Sequence, residues 1–150
     1  MYDRILVPTD GSEGSAAAID HAIDLAKAND AALYALYVIE TAAISPDVDA
    51  GTVLSSLERT GQRAIEDVRE RAEAAGLERI EGSVAQGVPH RAILAYARDN
   101  DVDLIVMGTH GRTGIERYLL GSVAEKVVRL SEVPVLTVRL AAGETGENEA

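Results

Sequence analysis

The chain alternates two kinds of segment, and that alternation restricts its fold more than any other feature. Short continuous apolar runs, Ile5 to Val7, Ala31 to Ile39 and Leu104 to Met107, and the largely apolar Val133 to Val138, are separated by longer stretches whose apolar residues recur at helical spacing. A brief unbroken apolar run bounded by turn residues reads as a strand buried on both faces, and apolar residues at i, i+3, i+4 and i+7 form one face of a helix. Strands buried on both faces and joined by helices form a parallel sheet with helices on each side.

In chain order, Arg4 to Pro8 is the first strand, and Thr9, Asp10, Gly11 and Ser12 supply turn chemistry. A helix from about Ser15 to Ala28 buries Ile19, Ala22, Ile23 and Ala26, and Asn29 with Asp30 closes it. In Ala31 to Ile39, Tyr34, Tyr37, Val38 and Ile39 favour a second strand, and Glu40 to Ala50, with Pro46, is a connection without period. A long helix from about Thr52 to Ala75 is marked by Val53, Leu57, Ile65, Val68 and Ala72, with Glu66–Arg69 and Asp67–Arg71 as surface charge pairs and Gly76 as its cap. Ile80 to Ala85 is the faintest strand pattern and ends in Gln86 and Gly87. Pro89 suits a first helical turn, and Ile93, Tyr96 and Ala97 give a buried face ending near Asn100. Leu104 to Met107 is the fourth strand, a helix starts at Ser122 with Val123, Val127 and Leu130, and the last strand carries Pro134 at its start.

The resulting order, βαβαβαβαβ, predicts an α/β fold: a doubly wound, five-stranded parallel sheet in the order 3-2-1-4-5, with right-handed crossovers and helices on both faces. At 150 residues the chain is one domain in size, expected over 1–140, with the acidic stretch Ala141 to Ala150 as a disordered tail. Phe, Trp and Cys are absent, so the core must come from Val, Ile, Leu and Ala, and thiolate chemistry and disulfides are excluded. The formal charge of -11 opposes binding to nucleic acid or anionic membranes. Its abundant Asp and Glu, with Lys27 and Lys126 the only lysines, suits a high-salt cytoplasm. No apolar stretch approaches the ~20 residues of a membrane helix, and a cytoplasmic location is expected.

Val106 to Val128 holds the chemistry. Gly108, Gly111, Gly121 and Ser122 form G-x2-G-x9-G-S, entered from a buried strand and left into a helix. Glycines allow backbone amides to approach an anion, and a helix N-terminus attracts negative charge. The same glycines are also compatible with a shaped surface connection. In an open sheet of order 3-2-1-4-5, ligands bind beyond the carboxyl ends of the strands where the order reverses, between the first and fourth. Pro8, Thr9 and Asp10 would then face Met107 and Gly108, which favours a nucleotide site.

These residues resemble the universal stress protein family, and its ATP-binding branch in particular. The resemblance covers nearly the whole chain: ILVPTDGSEGS at the start, YVIE closing the second strand, the Gly87-Val88-Pro89 turn, GTHGRTGIERYLLGSVAEKVV and VPVLTVR. It implies that Gly108, Gly111, Gly121, Ser122 and Val123 hold phosphates and ribose, that Pro8, Thr9 and Asp10 lie on the ribose and adenosine side, and that Val38 meets the adenine edge. His110 and Arg112 belong to the same loop, though His110 has no identifiable catalytic partner and Arg112 is equally suited to solvent. Asp10 is also placed to cap the first helix, and Ser122 the fourth. The implied ligand is ATP, with AMP or another adenine nucleotide as alternatives and Mg²⁺ reaching the site through the phosphates. Family members commonly form homodimers through the last strand, here Val135 to Val138.

The chain lacks the G-x4-G-K-[ST] lysine, and its first turn reads TDGSEGS rather than the SGGxDS of ATP pyrophosphatases. His21, His90 and His110 give no metal-ligand spacing. The expected function is therefore nucleotide-dependent regulation or stress response, with a slow Mg²⁺-dependent ATPase or a nucleotide-free dimeric module as alternatives.

Overall fold

The computed structural model describes residues 1–44, 49–110 and 120–139. Five strands, β1 (Arg4–Pro8), β2 (Ala32–Glu40), β3 (Ile80–Gly87), β4 (Leu104–Gly108) and β5 (Val135–Val138), alternate with four helices. These are α1 (Glu13–Asn29), α2 (Ala50–Ala74), α3 (Pro89–Asp99) and α4 (Ser122–Leu130), with a 3₁₀ turn at Thr41–Ala43. All strand pairs are parallel and the order is β3-β2-β1-β4-β5, as the sequence predicts.

Alternation along the strands sorts side chains into two aliphatic layers. Ile5, Val7, Leu33 and Val106 pack with Ile19, Ala22 and Ala26 of α1 and with Ile65, Val68 and Ala72 of α2. On the other face, Leu6, Leu36, Ile105 and Met107 pack with Ile93 and Ala97 of α3 and with Ala124 and Val127 of α4. The small residues along α1 let it lie close to the sheet, which suits a chain without Phe or Trp.

Three helices end in the same way. After α1, α2 and α3 a residue adopts left-handed backbone, Asp30 (φ 55°), Gly76 (φ 96°) and Asp101 (φ 53°). The next amide then reaches back to a carbonyl of the last turn: Ala31 to Ala26 at 2.9 Å, Leu77 to Ala72 at 3.0 Å and Val102 to Ala97 at 2.9 Å. This closure satisfies last-turn carbonyls that have no partner within the helix. The role expected of Gly76 is met, while Asp101 does after α3 what the sequence pattern left to Asn100.

The expected boundaries shift where capping decides them. Helix α1 starts at Glu13, two residues before its apolar period, because the Ser12 side chain accepts from the Ser15 amide and caps it. Helix α2 starts at Ala50 because Asp49 accepts from the amides of Gly51 and Thr52. Strand β5 begins at Val135 rather than Val133, although the Pro134 carbonyl already accepts from the Ile105 amide at 3.0 Å. The expected surface pairs form, Asp67 with Arg71 at 3.4 Å and Glu66 with Arg69 at 3.9 Å. The acidic tail 141–150 lies outside the described residues, as does much of the connection before α2.

At the amino ends of the strands, Asp103 accepts from the backbone amides of Asp3 and Arg4 at 2.9–3.2 Å, tying the entry to β4 onto β1. Nearby is an open groove of about 560 Å³ bordered by Asp3, Arg4, Asp30, Glu78, Arg79 and Glu81. Four carboxylates against two guanidiniums make it unsuitable for phosphate. The nucleotide chemistry expected from the sequence belongs at the opposite end of the sheet.

Candidate functional site

Beyond its last residue β1 keeps pairing with β2, the Thr9 amide donating to the Leu36 carbonyl at 2.8 Å. Thr9 is buried, and its hydroxyl accepts from the Gly11 amide at 3.2 Å, which turns the chain. Asp10 Oδ1 then accepts from the Ser12 amide at 2.9 Å and from the Ser15 hydroxyl at 2.8 Å, while the Asp10 amide donates to Ser15 Oγ at 3.1 Å. Asp10 is therefore not the cap of α1. It braces the turn and holds Ser15, a buried serine in the helix's first turn, and Ser12 does the capping.

On the β4 side one residue joins three elements. The Thr109 amide donates to the Val138 carbonyl of β5 at 3.0 Å, and the Thr109 carbonyl accepts from the Gly121 amide at 2.8 Å. The start of α4 is thus fastened directly to the end of β4. Gly121 is the N-cap of α4 and makes no side-chain capping bond; Ser122 occupies the first helical position instead of the cap. The first intrahelical bond runs from the Glu125 amide to the Gly121 carbonyl at 2.9 Å, so the amides of Ser122, Val123 and Ala124 point out of the helix end.

The two turns meet at a pair of glycines. A Cβ at Gly14 would stand 2.7 Å from the His110 carbonyl oxygen, and one at Gly108 would stand 2.9 Å from the Gly14 carbonyl oxygen. One at Gly121 would lie 3.3 Å from the Thr109 carbonyl oxygen. The absence of side chains at Gly108 and Gly121 thus has a cause inside the protein, the approach of α1 and of the 109–110 backbone. Gly11 differs: its φ is +82° and a Cβ there would meet nothing within 4 Å.

His110 sits beside this contact, its Nδ1 3.2 Å from Thr109 Oγ1. Its Nε2 is buried with no hydrogen-bond partner among the described residues. A buried polar atom in that state costs about 1–3 kcal/mol unless something satisfies it.

The structure brings together Pro8, Thr9, Asp10, Met107, Gly108, His110, Gly121, Ser122 and Val123 around the β1/β4 crevice. Val38 stands two residues past Leu36, the partner of Pro8, so it too lies beyond the carboxyl end of β1. Gly111 and Arg112 lie outside the described residues. Sequence reasoning did not single out Ser12, Gly14, Ser15 or Thr109. The run Gly11-Ser12-Glu13-Gly14-Ser15 carried a signal for the first three, since small and hydroxyl residues at a helix start mark a cap and a close approach. Thr109 carried none, because its backbone rather than its side chain joins the elements. Among the described residues no three His, Asp or Glu side chains are grouped to hold a metal, and no helix is long and apolar enough to cross a membrane.

Comparison with known proteins decides the family. The model of the universal stress protein family matches residues 1–139. The chain belongs to the universal stress protein family. Universal stress protein MJ0531 of Methanocaldococcus jannaschii is 42% identical over 145 residues, spanning 93% of this chain and 83% of the relative. The solved structure of MJ0577 from the same organism matches with a TM-score of 0.86 and 32% identity, covering 94% of this chain and 98% of that one. A universal stress protein solved in complex with cAMP matches with a TM-score of 0.74 and 32% identity over 93% of this chain and 99% of that one. This universal stress protein therefore shares both sequence and architecture with its relatives along nearly their full length.

Proposed function

We propose that the protein is a nucleotide-binding regulator that holds an adenine nucleotide, ATP in the first place, in the crevice between β1 and β4. The observation that carries this reading is the close approach at Gly14 and Gly108, which gathers the Asp10 turn, His110 and the start of α4 at the point where the strand order reverses. In this reading the phosphates lie against the amides of Ser122 and Val123 and the glycine segment, with Gly111 and Arg112 contributing. Uncapped amides and the helix dipole favour negative charge there. His110 Nε2 acquires its partner from the ligand, Pro8, Thr9 and Asp10 line the ribose side, and Val38 offers backbone groups to adenine. Mg²⁺ enters with the phosphates rather than on a protein site. The cAMP complex of a family member supports an adenine ligand. The outer edge of β5, which pairs with no other strand among the described residues, and Leu136, 39% exposed, support a homodimer formed along Val135–Val138.

The deciding experiment is titration of the full chain with ATP, AMP and cAMP, with and without Mg²⁺, followed by calorimetry and by nucleotide analysis of gently purified protein. Saturable binding of an adenine nucleotide that is lost in Gly121→Val is expected. A protein that carries no nucleotide and shows no heat of binding for any of the three would overturn the reading and leave a dimeric interaction module in its place.

A further inference from the structure

The two helical layers carry opposite charge. Helices α1 and α2 present eight carboxylates against five basic side chains, whereas α3 and α4 present two carboxylates, Asp99 and Glu125, against Arg91, Arg98, Lys126 and Arg129. In a chain of formal charge -11 this is a local reversal of sign.

The basic groups of the two layers also differ in how they are engaged. On α2, Arg71 bridges to Asp20 at 3.1 Å and to Asp67, and Arg69 lies near Glu66. On the other layer Arg129 pairs with Glu125 at 3.0 Å and Arg98 only approaches its neighbour Asp99 at 4.0 Å. Arg91 and Lys126 make no ion pair among the described residues. Helices α3 and α4 pack against each other, and His90 lies in this surface. Its imidazole is held below its ordinary pKa by partial burial and then by Lys126, Arg91 and Arg129, cations of both helices. Apolar side chains stand at the same layer, with Val88 and Val128 each 44% exposed and Leu130 48% exposed.

We propose that the α3–α4 layer is a docking face for an acidic, amphipathic segment of a protein partner, whose carboxylates meet Arg91, Lys126 and Arg129 and whose apolar side chains cover the exposed leucine and valines. Overall negative charge does not forbid this, because at physiological salt charges more than about 8 Å apart are largely screened and the contact responds to the local field. Nucleic acid fits less well. Its charge continues along a rigid rod beyond the patch and over the acidic remainder of the surface, and it offers nothing to the exposed valines. A second copy placing its α1–α2 layer here would make a heterologous, head-to-tail contact, which builds rings or filaments instead of a two-fold dimer.

The test uses the full chain and a labelled peptide of Glu and Leu, about 15 residues long so that it can form a short amphipathic helix. Saturable binding by fluorescence anisotropy is expected, weakening with salt, and the double variant Arg91→Glu/Lys126→Glu should lose about tenfold or more in affinity. Arg59→Glu/Arg63→Glu on α2 should bind as the parent does, and circular dichroism verifies that each variant folds. On saturation the His90 imidazole should titrate at higher pH, read by NMR, because the bound carboxylates offset its cationic neighbours. Failure to bind the peptide, equal binding by the Arg91/Lys126 variant, or equal affinity for a DNA duplex would overturn the proposal. So would self-association in sedimentation that the same two substitutions abolish, since the occupant would then be a second copy.

Discussion

Replacing Gly14 by Ala tests whether the crevice depends on the contact between α1 and the end of β4. Gly14 lies within α1 and its φ is not positive, so local preference alone predicts that alanine stabilises the helix, by about 0.5–1 kcal/mol. The tertiary contact predicts the reverse. The added Cβ falls 2.7 Å from the His110 carbonyl oxygen, several tenths of an ångström inside normal contact, and the obstacle is backbone that cannot rotate away. The first turn of α1 must then move off the 108–110 segment. Strain of this kind costs about 1–3 kcal/mol, so a net loss centred near ~1 kcal/mol remains after the helix preference is subtracted. For a chain of this length that corresponds to a fall in Tm of roughly 2–4 °C. Gly51→Ala is the internal control: it sits in the first turn of α2, a Cβ there meets only Asp49 Oδ1 at 3.5 Å, and it should hold or raise stability. Urea unfolding followed by circular dichroism measures both. If Gly14→Ala matches or exceeds the parent while Gly51→Ala behaves as described, the close approach does not exist in solution and the construction of the crevice fails with it.

Asp103→Ala removes the acceptor for the Asp3 and Arg4 amides and should destabilise the chain by about 1 kcal/mol, with hydrogen exchange accelerating at β1 ahead of the global transition. His90 has a folded pKa below its unfolded value, so its contribution to stability is present above about pH 6.5 and is lost as pH falls through the folded value. Stability against pH for His90→Asn should therefore decline less steeply than the parent below pH ~6.5, and parallel curves would refute the assignment. Excess surface carboxylate predicts that thermal stability rises between dilute buffer and molar KCl; an unchanged Tm would count against self-repulsion as a significant cost.

What could be read from the sequence was what local periodicity and turn chemistry determine. β1 falls at Arg4–Pro8 and β4 is Leu104–Gly108, because unbroken runs of Ile, Leu and Val have few alternatives between turn residues. Even the faint pattern at Ile80 proved to be a strand, half-buried along most of its length because it lies at the sheet edge, with only Glu81 and Gln86 exposed. What escaped was set by distant backbone. Gly14 looks like an ordinary small residue until His110, ninety-six positions later, is placed on it. The sequence placed Asp10 as a candidate cap of α1, but the Ser15 amide donates to Ser12 while the buried Ser15 hydroxyl donates to Asp10, so the serine caps and the aspartate braces. Gly121 displaced Ser122 from the cap for a similar reason: its amide is committed to the Thr109 carbonyl, and a Cβ there would stand 3.3 Å from that oxygen, a tight contact that glycine avoids.

The Thr109 backbone has a mechanical meaning beyond its place in the crevice. Its N–H, in the 108–109 peptide plane, holds the outermost strand, and its C=O, in the 109–110 plane, holds the residue before α4, so two rigid planes hinged at one Cα link sheet edge and helix end. A displacement of β5 against β4 strains the first of those bonds, and whatever the Thr109 torsions do not absorb passes through the second to the amides at the start of α4. A load at the rim of the sheet therefore has a path of two hydrogen bonds to the place where the phosphates are proposed to lie.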